Sequence, residues 1–341
     1  MMEKSRKTTL SEVAVAANVS PITVSRALRS PEKVSAEARE RITRAIADLG
    51  YVPDPAARAL ASGRTDVVGV LIPSVSNNVF SDVLHGIYDG IADSTLSVQL
   101  GTTGYSPLAE ERLIRVFLSQ RPSGLIVAGH EQSPAARRLL AEANCPVVQI
   151  MEIGPQPIDL AVGLSHFDGA RAATAHLLDR GYRAPAFLGA QMDPRSQRRL
   201  AGFREGIGLA GRDGPDRVVT TPEPSSVSLG CRLLADLLAR HPEADAVLCN
   251  NDDLALGVLF EAMRRNLPVP DRLGICGFND LEMMAAAQPP LSSIATDRHG
   301  MGRMAVHLIR QRHGGTGPAR GHALDLGFAL RARESTAGRR G

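Results

Sequence analysis

The sequence predicts a small all-α helix-turn-helix head followed by an α/β body of two lobes, each lobe a doubly wound parallel sheet. Three observations carry this. Two capped helical segments between Thr9 and Leu28 are joined by a tight turn. From Val67 onward, apolar runs of strand length alternate with helical patterns of about ten to fifteen residues. Charge is also unevenly placed: of 39 basic and 36 acidic residues, eleven and seven fall within 1–64, leaving 28 and 29 beyond. The whole positive excess lies on the helical head, as phosphate binding requires.

In the head, Thr9 caps the first helix and Glu12 completes a capping box, with Val13, Ala14 and Ala17 as the apolar face. Asn18 breaks the run. Ser20 is a second N-cap and Pro21 takes the first helical position, where its missing N–H is harmless. The second helix buries Val24, Ala27 and Leu28 and turns Ile22, Ser25, Arg26 and Arg29 outward; such a helix fits a DNA major groove. A third helix over roughly 35–49, capped by Ser35 and ended by Gly50, buries Ile42, Ala45, Ile46 and Leu49. Next, Asp54 caps and Pro55 starts a helix of about two turns, marginal in water alone and suited to ordering only on a partner.

Beyond 64, apolar runs at 67–72, 97–101, 124–128, 146–150, 160–163, 185–189, 217–220, 245–249 and 273–277 mark the strands. So many βα units exceed one open sheet and fit two lobes, with a ligand site in the cleft beyond the strands' carboxyl ends. The tail, RARESTAGRRG, shows no heptads and reads as frayed. Domain limits are therefore 1–53 for the head, 54–64 for hinge helix and linker, and 65–341 for the body. Within the body, lobe 1 takes about 65–163 and 294–323, and lobe 2 about 164–293 and 324–333.

Several function classes are disfavoured. No apolar run approaches the ~20 residues of a membrane helix, and the basic start leads into an amphipathic helix with no signal-peptide h-region. Cys145, Cys231, Cys249 and Cys276 are far apart, and the three in or beside apolar strand-like runs read as buried thiols of a reducing cytoplasm. Neither cysteines nor histidines show metal spacing, and no cofactor is expected. Gly206, Gly208 and Gly211 satisfy GxGxxG, but they end a helical run, so they read as a helix stop and not a dinucleotide loop. No enzyme is expected.

With residues 9–28 followed by VSAEARERITRAIADLGYVPDPAARALASGRT and VVGVLIPSVSNNVF, and later RRLAGF, NNDDLALG, GFND and PPLSSIATD, the chain resembles the LacI family over nearly its whole length. Its segments IPSVSNNVFSDVLHGI and DLAVGLSHFDGARAA look most like gluconate-operon repressors. The resemblance implies a periplasmic-binding-protein-like body and a homodimer on double-stranded operator DNA. It implies a cytoplasmic, nucleoid-associated repressor of sugar-acid genes, released when a small anionic effector binds. Corepression, a neutral-sugar effector and a solute-binding protein are the alternatives.

Lys4, Arg6 and Lys7 would contact phosphates, and the expected DNA-facing set is Thr9, Ser20, Pro21, Ile22, Thr23, Ser25, Arg26, Arg29, Ala57 and Leu60. By resemblance, Pro21, Ile22 and Arg26 read bases, Arg26 as a bidentate partner for guanine, while Leu60 wedges into the minor groove. Asp54-Pro55 replaces the family's usual Asn-Arg. The matching cleft positions are Ser74, Asn77, Asn78, Phe80, Glu152, Arg195, Arg199, Asn251, Asn279, Thr296 and Arg298. Asn279 stands where sugar- and purine-binding members carry Asp, with the acid one residue later at Asp280. Replacing that acid and adding Arg195 and Arg298 favours an anion, a sugar acid such as gluconate or 2-ketogluconate, because a buried charge must be matched. Glu152 argues the other way unless it pairs with an arginine or accepts hydroxyls. His166, in a Ser-His pair replacing the usual Asp-Asn, is expected to pack between lobes outside the site.

Overall fold

Local chemistry shapes the head as the sequence requires. In the computed structural model, which describes residues 8–29, 31–52, 63–211 and 216–338, α1 (Leu10–Ala16) opens on the capping box. There the Glu12 N–H donates to Thr9 Oγ1 and the Thr9 N–H to Glu12 Oε2, at 3.3 and 2.7 Å. Asn18 adopts φ +52°, so the Val19 N–H reaches back to the Ala14 carbonyl and closes α1 with a left-handed turn. Ser20 Oγ then accepts the Thr23 N–H at 3.1 Å and starts α2 (Pro21–Arg29). α3 (Ala36–Asp48), capped by Ser35, ends at Gly50, φ +55°.

Val13, Ala14, Ala17, Val24, Ile42, Ala45 and Tyr51 form the head's core, with Ala27, Leu28 and Ile46 half-buried against it. Leu49, expected in the buried stripe, is 38% exposed because the helix ends there and the chain turns away. The basic arm, Asp54, Pro55, Ala57, Leu60 and the side chain of Arg29 lie outside the described residues.

The body, from Asp66 on, winds one sheet first. Strands β1 (Val67–Ile72), β2 (Ser97–Thr102), β3 (Gly124–Ala128), β4 (Val147–Glu152) and β5 (Leu160–Leu164) alternate with α4 (Val79–Ile91), α5 (Pro107–Ser119) and α6 (Pro134–Ala141). After Leu164 the chain crosses over and builds the second sheet. This run is α7 (His166–Asp179), β6 (Pro185–Ala190), α8 (Pro194–Leu209), β7 (Val218–Thr221), α9 (Val227–Arg240) and β8 (Ala246–Cys249). It continues through α10 (Asp252–Arg264), β9 (Gly274–Asn279), α11 (Glu282–Ala286) and β10 (Ser292–Ala295). α12 (Arg298–His313) and β11 (His322–Asp325) then return to the first lobe, and β12 (Ala329–Arg331) to the second. The second and third crossovers thus follow Ala295 and Asp325, a residue or two beyond the expected positions.

The strand orders are β11-β5-β4-β3-β1-β2 and β12-β10-β9-β8-β6-β7. Every pairing is parallel except β10 with the short return strand β12. Strand interiors are near-continuous Val, Ile, Leu and Ala because helices cover both faces. Helices approach closely through glycines: a Cβ on Gly202 of α8 would lie 2.1 Å from the Phe167 carbonyl of α7.

The tail is not frayed up to Gly338. Its Ser335 and Thr336 are fully buried, Ser335 Oγ donates to the Ile275 carbonyl at 2.6 Å, and Arg333 pairs with Asp280 at 2.6 Å. A polar tail docks here because its hydroxyls satisfy backbone groups at the edge of β9 and β10 that would otherwise be buried unpaired. All four cysteines are free thiols; Cys231, Cys249 and Cys276 are buried, but Cys145 is only half-buried, at the entrance to β4. Among the described residues no helix is long and apolar enough to cross a membrane.

Candidate effector cleft and DNA-reading surface

The carboxyl ends of both parallel sheets face a common cleft of about 670 Å³, part of it open to solvent, where doubly wound folds bind ligands. Of the expected residues, Ser74, Asn77, Arg195, Arg199, Asn251 and Asn279 line it. Four non-glycine residues of its wall hold left-handed backbone: Tyr105 (φ +61°), Met151 (+84°), Gln191 (+55°) and Asn279 (+116°). Each costs on the order of 1–3 kcal/mol, and such strain collects where geometry serves a ligand.

Charges are distributed differently from expectation. Arg195 donates to Asp193 Oδ2 at 2.6 and 3.2 Å and lies over the Phe80 ring at 5.5 Å. Phe80 is thus the apolar bed of Arg195, buried beneath the cleft and not on its wall. Arg298 donates to Asp82 at 2.7 Å and to the Asn279 carbonyl and Thr296, tying α4, β9 and the second crossover together. Both added arginines are therefore neutralised by carboxylates, and neither Thr296 nor Arg298 lines the cleft. Asn78 is exposed at the start of α4, without a side-chain cap bond.

Arg199 is the exception. Its guanidinium is buried, with no carboxylate within ion-pair distance among the described residues. It donates to the Asn250 carbonyl and to His166 Nδ1, at 3.1 and 3.2 Å for the latter, and stacks 3.8 Å from the Phe278 centroid. Burial, reinforced by Arg195, pulls it down to about 10, so it stays cationic at neutral pH. His166 is itself fully buried and pushed well below the usual histidine range by burial and by Arg199, hence neutral. With Nδ1 accepting from Arg199, its proton sits on Nε2, 4.0 Å from Glu152 Oε2. His166 thus packs between the lobes, with Arg199 on one side of its ring and Glu152 on the other.

Asn251 caps α10: its Oδ1 accepts the Leu254 N–H and the Ser225 hydroxyl, leaving Nδ2 without a partner among the described residues. Asn279 is buried, with no partner for its Oδ1 among the described residues. Asn77 donates to the Tyr105 hydroxyl at 3.3 Å, and Ser74 bonds Ser76 at 2.8 Å. Sequence reasoning missed Tyr105, Asp193, Ser225, Asn250 and Asp253 on this wall. Asp193-Pro194 carried a helix-cap signature, and Asn250 and Asp253 lay inside the quoted NNDD, whereas nothing marked Tyr105.

In the head, α2 presents Pro21, Ile22 (69% exposed) and Arg26 to solvent, with no protein partner for Arg26 among the described residues. The Thr9, Ser20 and Thr23 hydroxyls are engaged in helix capping, and Ser25 is half-buried.

A helix-turn-helix carried on a clefted two-lobed body defines a ligand-responsive, DNA-binding transcriptional regulator, not an enzyme. Residues 9–54 match the lacI family of bacterial regulatory proteins, and residues 174–336 match the periplasmic binding protein-like domain. The HTH-type transcriptional regulator GntR of Pseudomonas aeruginosa is 43% identical over 96% of this chain and 95% of its own. A LacI-family regulator from Silicibacter pomeroyi superimposes with TM-score 0.85, at 36% identity, over 96% of this chain and 99% of its own. The lac repressor dimer bound to operator and an anti-inducer gives 0.84 at 26% identity, over 97% and 99%. The chain belongs to the LacI family, whose members bind operator DNA as dimers and respond to small-molecule effectors.

Proposed function

We propose that the chain is a repressor of sugar-acid genes, acting in the cytoplasm on nucleoid DNA, and that an aldonate of the gluconate type releases it from a palindromic operator. The reading rests on Arg199, a buried cation on the cleft wall with no carboxylate at ion-pair distance among the described residues. A buried unpaired charge is costly, and a ligand carboxylate on its fork would repay that cost with charge-assisted hydrogen bonds. Asn251 Nδ2 and Asn279 Oδ1 add a spare donor and a spare acceptor for hydroxyls. Resemblance of the sequence to gluconate-operon repressors supports the same class.

On DNA, Pro21, Ile22 and Arg26 of each protomer read one major-groove half-site, Leu60 enters the minor groove, and ligand closing the cleft loosens the hinges. Titration calorimetry of the full chain with gluconate and with glucose tests the effector, and tighter glucose binding overturns it. Arg199→Ala is expected to lose gluconate binding, and retention of operator retardation in a gel shift separates that loss from misfolding. The same gel shift, titrated with gluconate, reads the sign of the coupling.

A further inference from the structure

Beside the Arg199 chamber lies a second, of about 770 Å³, and Tyr105, Asp193 and Arg195 border both. Its remaining polar wall comes chiefly from the first lobe: Thr103, Glu110, His130, Gln132 and Glu152, with Arg198 reaching in from α8. Two of these side chains are more than nine-tenths buried and carry a polar atom with no hydrogen-bond partner among the described residues, His130 Nδ1 and Glu152 Oε2. An unmade bond at a buried group costs about 1–3 kcal/mol, and two in one chamber point to polar groups that a ligand supplies.

The chemistry of the wall selects among ligands. Arg198 is held by Glu131 at 3.0 Å and stands 4.0 Å from Glu152 Oε2, too far for a hydrogen bond, so no cation is free for a carboxylate. Burial raises Glu110 and Glu152 to about 7 and lowers His130, so near neutral pH the wall offers a neutral imidazole and two carboxyls that keep a proton far more readily than exposed ones. Such groups both accept from and donate to hydroxyls, whereas an anion would meet them as like charges. The unpaired cation is in the other chamber, at Arg199, and the His166 ring lies between Arg199 and Glu152, in contact with the first and 4.0 Å from the second.

We propose that the second chamber holds the hydroxyl-bearing end of an open-chain polyhydroxy acid whose carboxylate is on Arg199, with His130 and Glu152 reading its length and hydroxylation. This rests on the sugar-acid reading above. The cleft is then polar end to end in two senses, cationic on one side of Arg195 and hydroxyl-reading on the other. An acid as short as glycerate would be held by the first chamber alone.

Titration calorimetry of the full chain with gluconate and glycerate tests this, on wild type, His130→Ala and Glu152→Ala, with thermal melting to verify folding. Wild type is expected to bind gluconate at least tenfold more tightly than glycerate. Each substitution is expected to weaken gluconate tenfold or more while changing glycerate less than threefold. Should an alanine variant fail to fold, His130→Gln and Glu152→Gln replace it, with an expected loss of threefold or more for gluconate alone. Gluconate binding indifferent to both positions, or an equal loss for glycerate, overturns the proposal and leaves the sugar-acid reading standing. A wild type that binds no gluconate overturns both.

Discussion

Replacing Glu152 by Gln removes a carboxyl that the fold buries to 3% exposure at the end of β4. Burial raises it from 4.5 to about 7, against the opposing pull of Arg198. Below the unfolded value both states hold the proton and the group is neutral to stability. Between the two values the unfolded chain ionises first, so stability falls as pH rises, and above the folded value the full penalty is present. At about 1.36 kcal/mol per pKa unit, that penalty is about 3 kcal/mol at pH 8 and about 1 kcal/mol at pH 5. Gln cannot ionise, so Glu152→Gln should gain about 2 kcal/mol on wild type as pH goes from 5 to 8. At about 2 °C per kcal/mol for a body of this size, the difference in melting temperature should open by ~4 °C. Melting both proteins by far-ultraviolet circular dichroism in steps across that range, at constant salt, reads it directly. Groups common to both, His166 among them, cancel in the difference. A gap that stays flat with pH would mean that Glu152 ionises at its ordinary value and that burial does not govern it.

Three further outcomes are expected. Gly202→Ala forces a methyl to 2.1 Å from the Phe167 carbonyl, so α7 and α8 must part, at about 1–3 kcal/mol; a differential scan unchanged within a degree would contradict that close approach. Ser20→Ala removes the acceptor for the Thr23 N–H, costing ~1 kcal/mol, and amide exchange in the first turn of α2 should quicken about fivefold. Asn279→Asp adds a carboxylate to the Arg199 cleft, so gluconate should weaken tenfold or more by calorimetry while glucose improves.

Much of the architecture was legible because its causes are local. Capping hydroxyls, a left-handed Asn18 and an apolar stripe lie within a few residues of what they control, and helix-covered parallel strands announce themselves as unbroken Val, Ile and Leu. The runs at 67–72 and 124–128 are strands to the residue. By contrast β11 and β12 are short and only partly apolar, and the docked tail from Arg333 to Thr336 is polar. They exist because sheet edges already formed elsewhere offer them partners, and no periodicity within them could say so.

Hydrogen-bond capping and apolar periodicity act over one or two turns, so the order of parts, a capped helical head and then two sheets with a cleft at their carboxyl ends, is written in the sequence. Six of the cleft's polar residues, fewer than half, could also be named from it. The charge of that cleft is instead a product of the folded chain. Arg298 meets Asp82, 216 residues away, while Arg199 meets a neutral imidazole, a carbonyl and the Phe278 ring, and Glu152 comes to rest near His166 from another lobe. Electrostatic character depends on which groups stand within a few ångströms once water is excluded, and that is set by the fold's longest-range contacts.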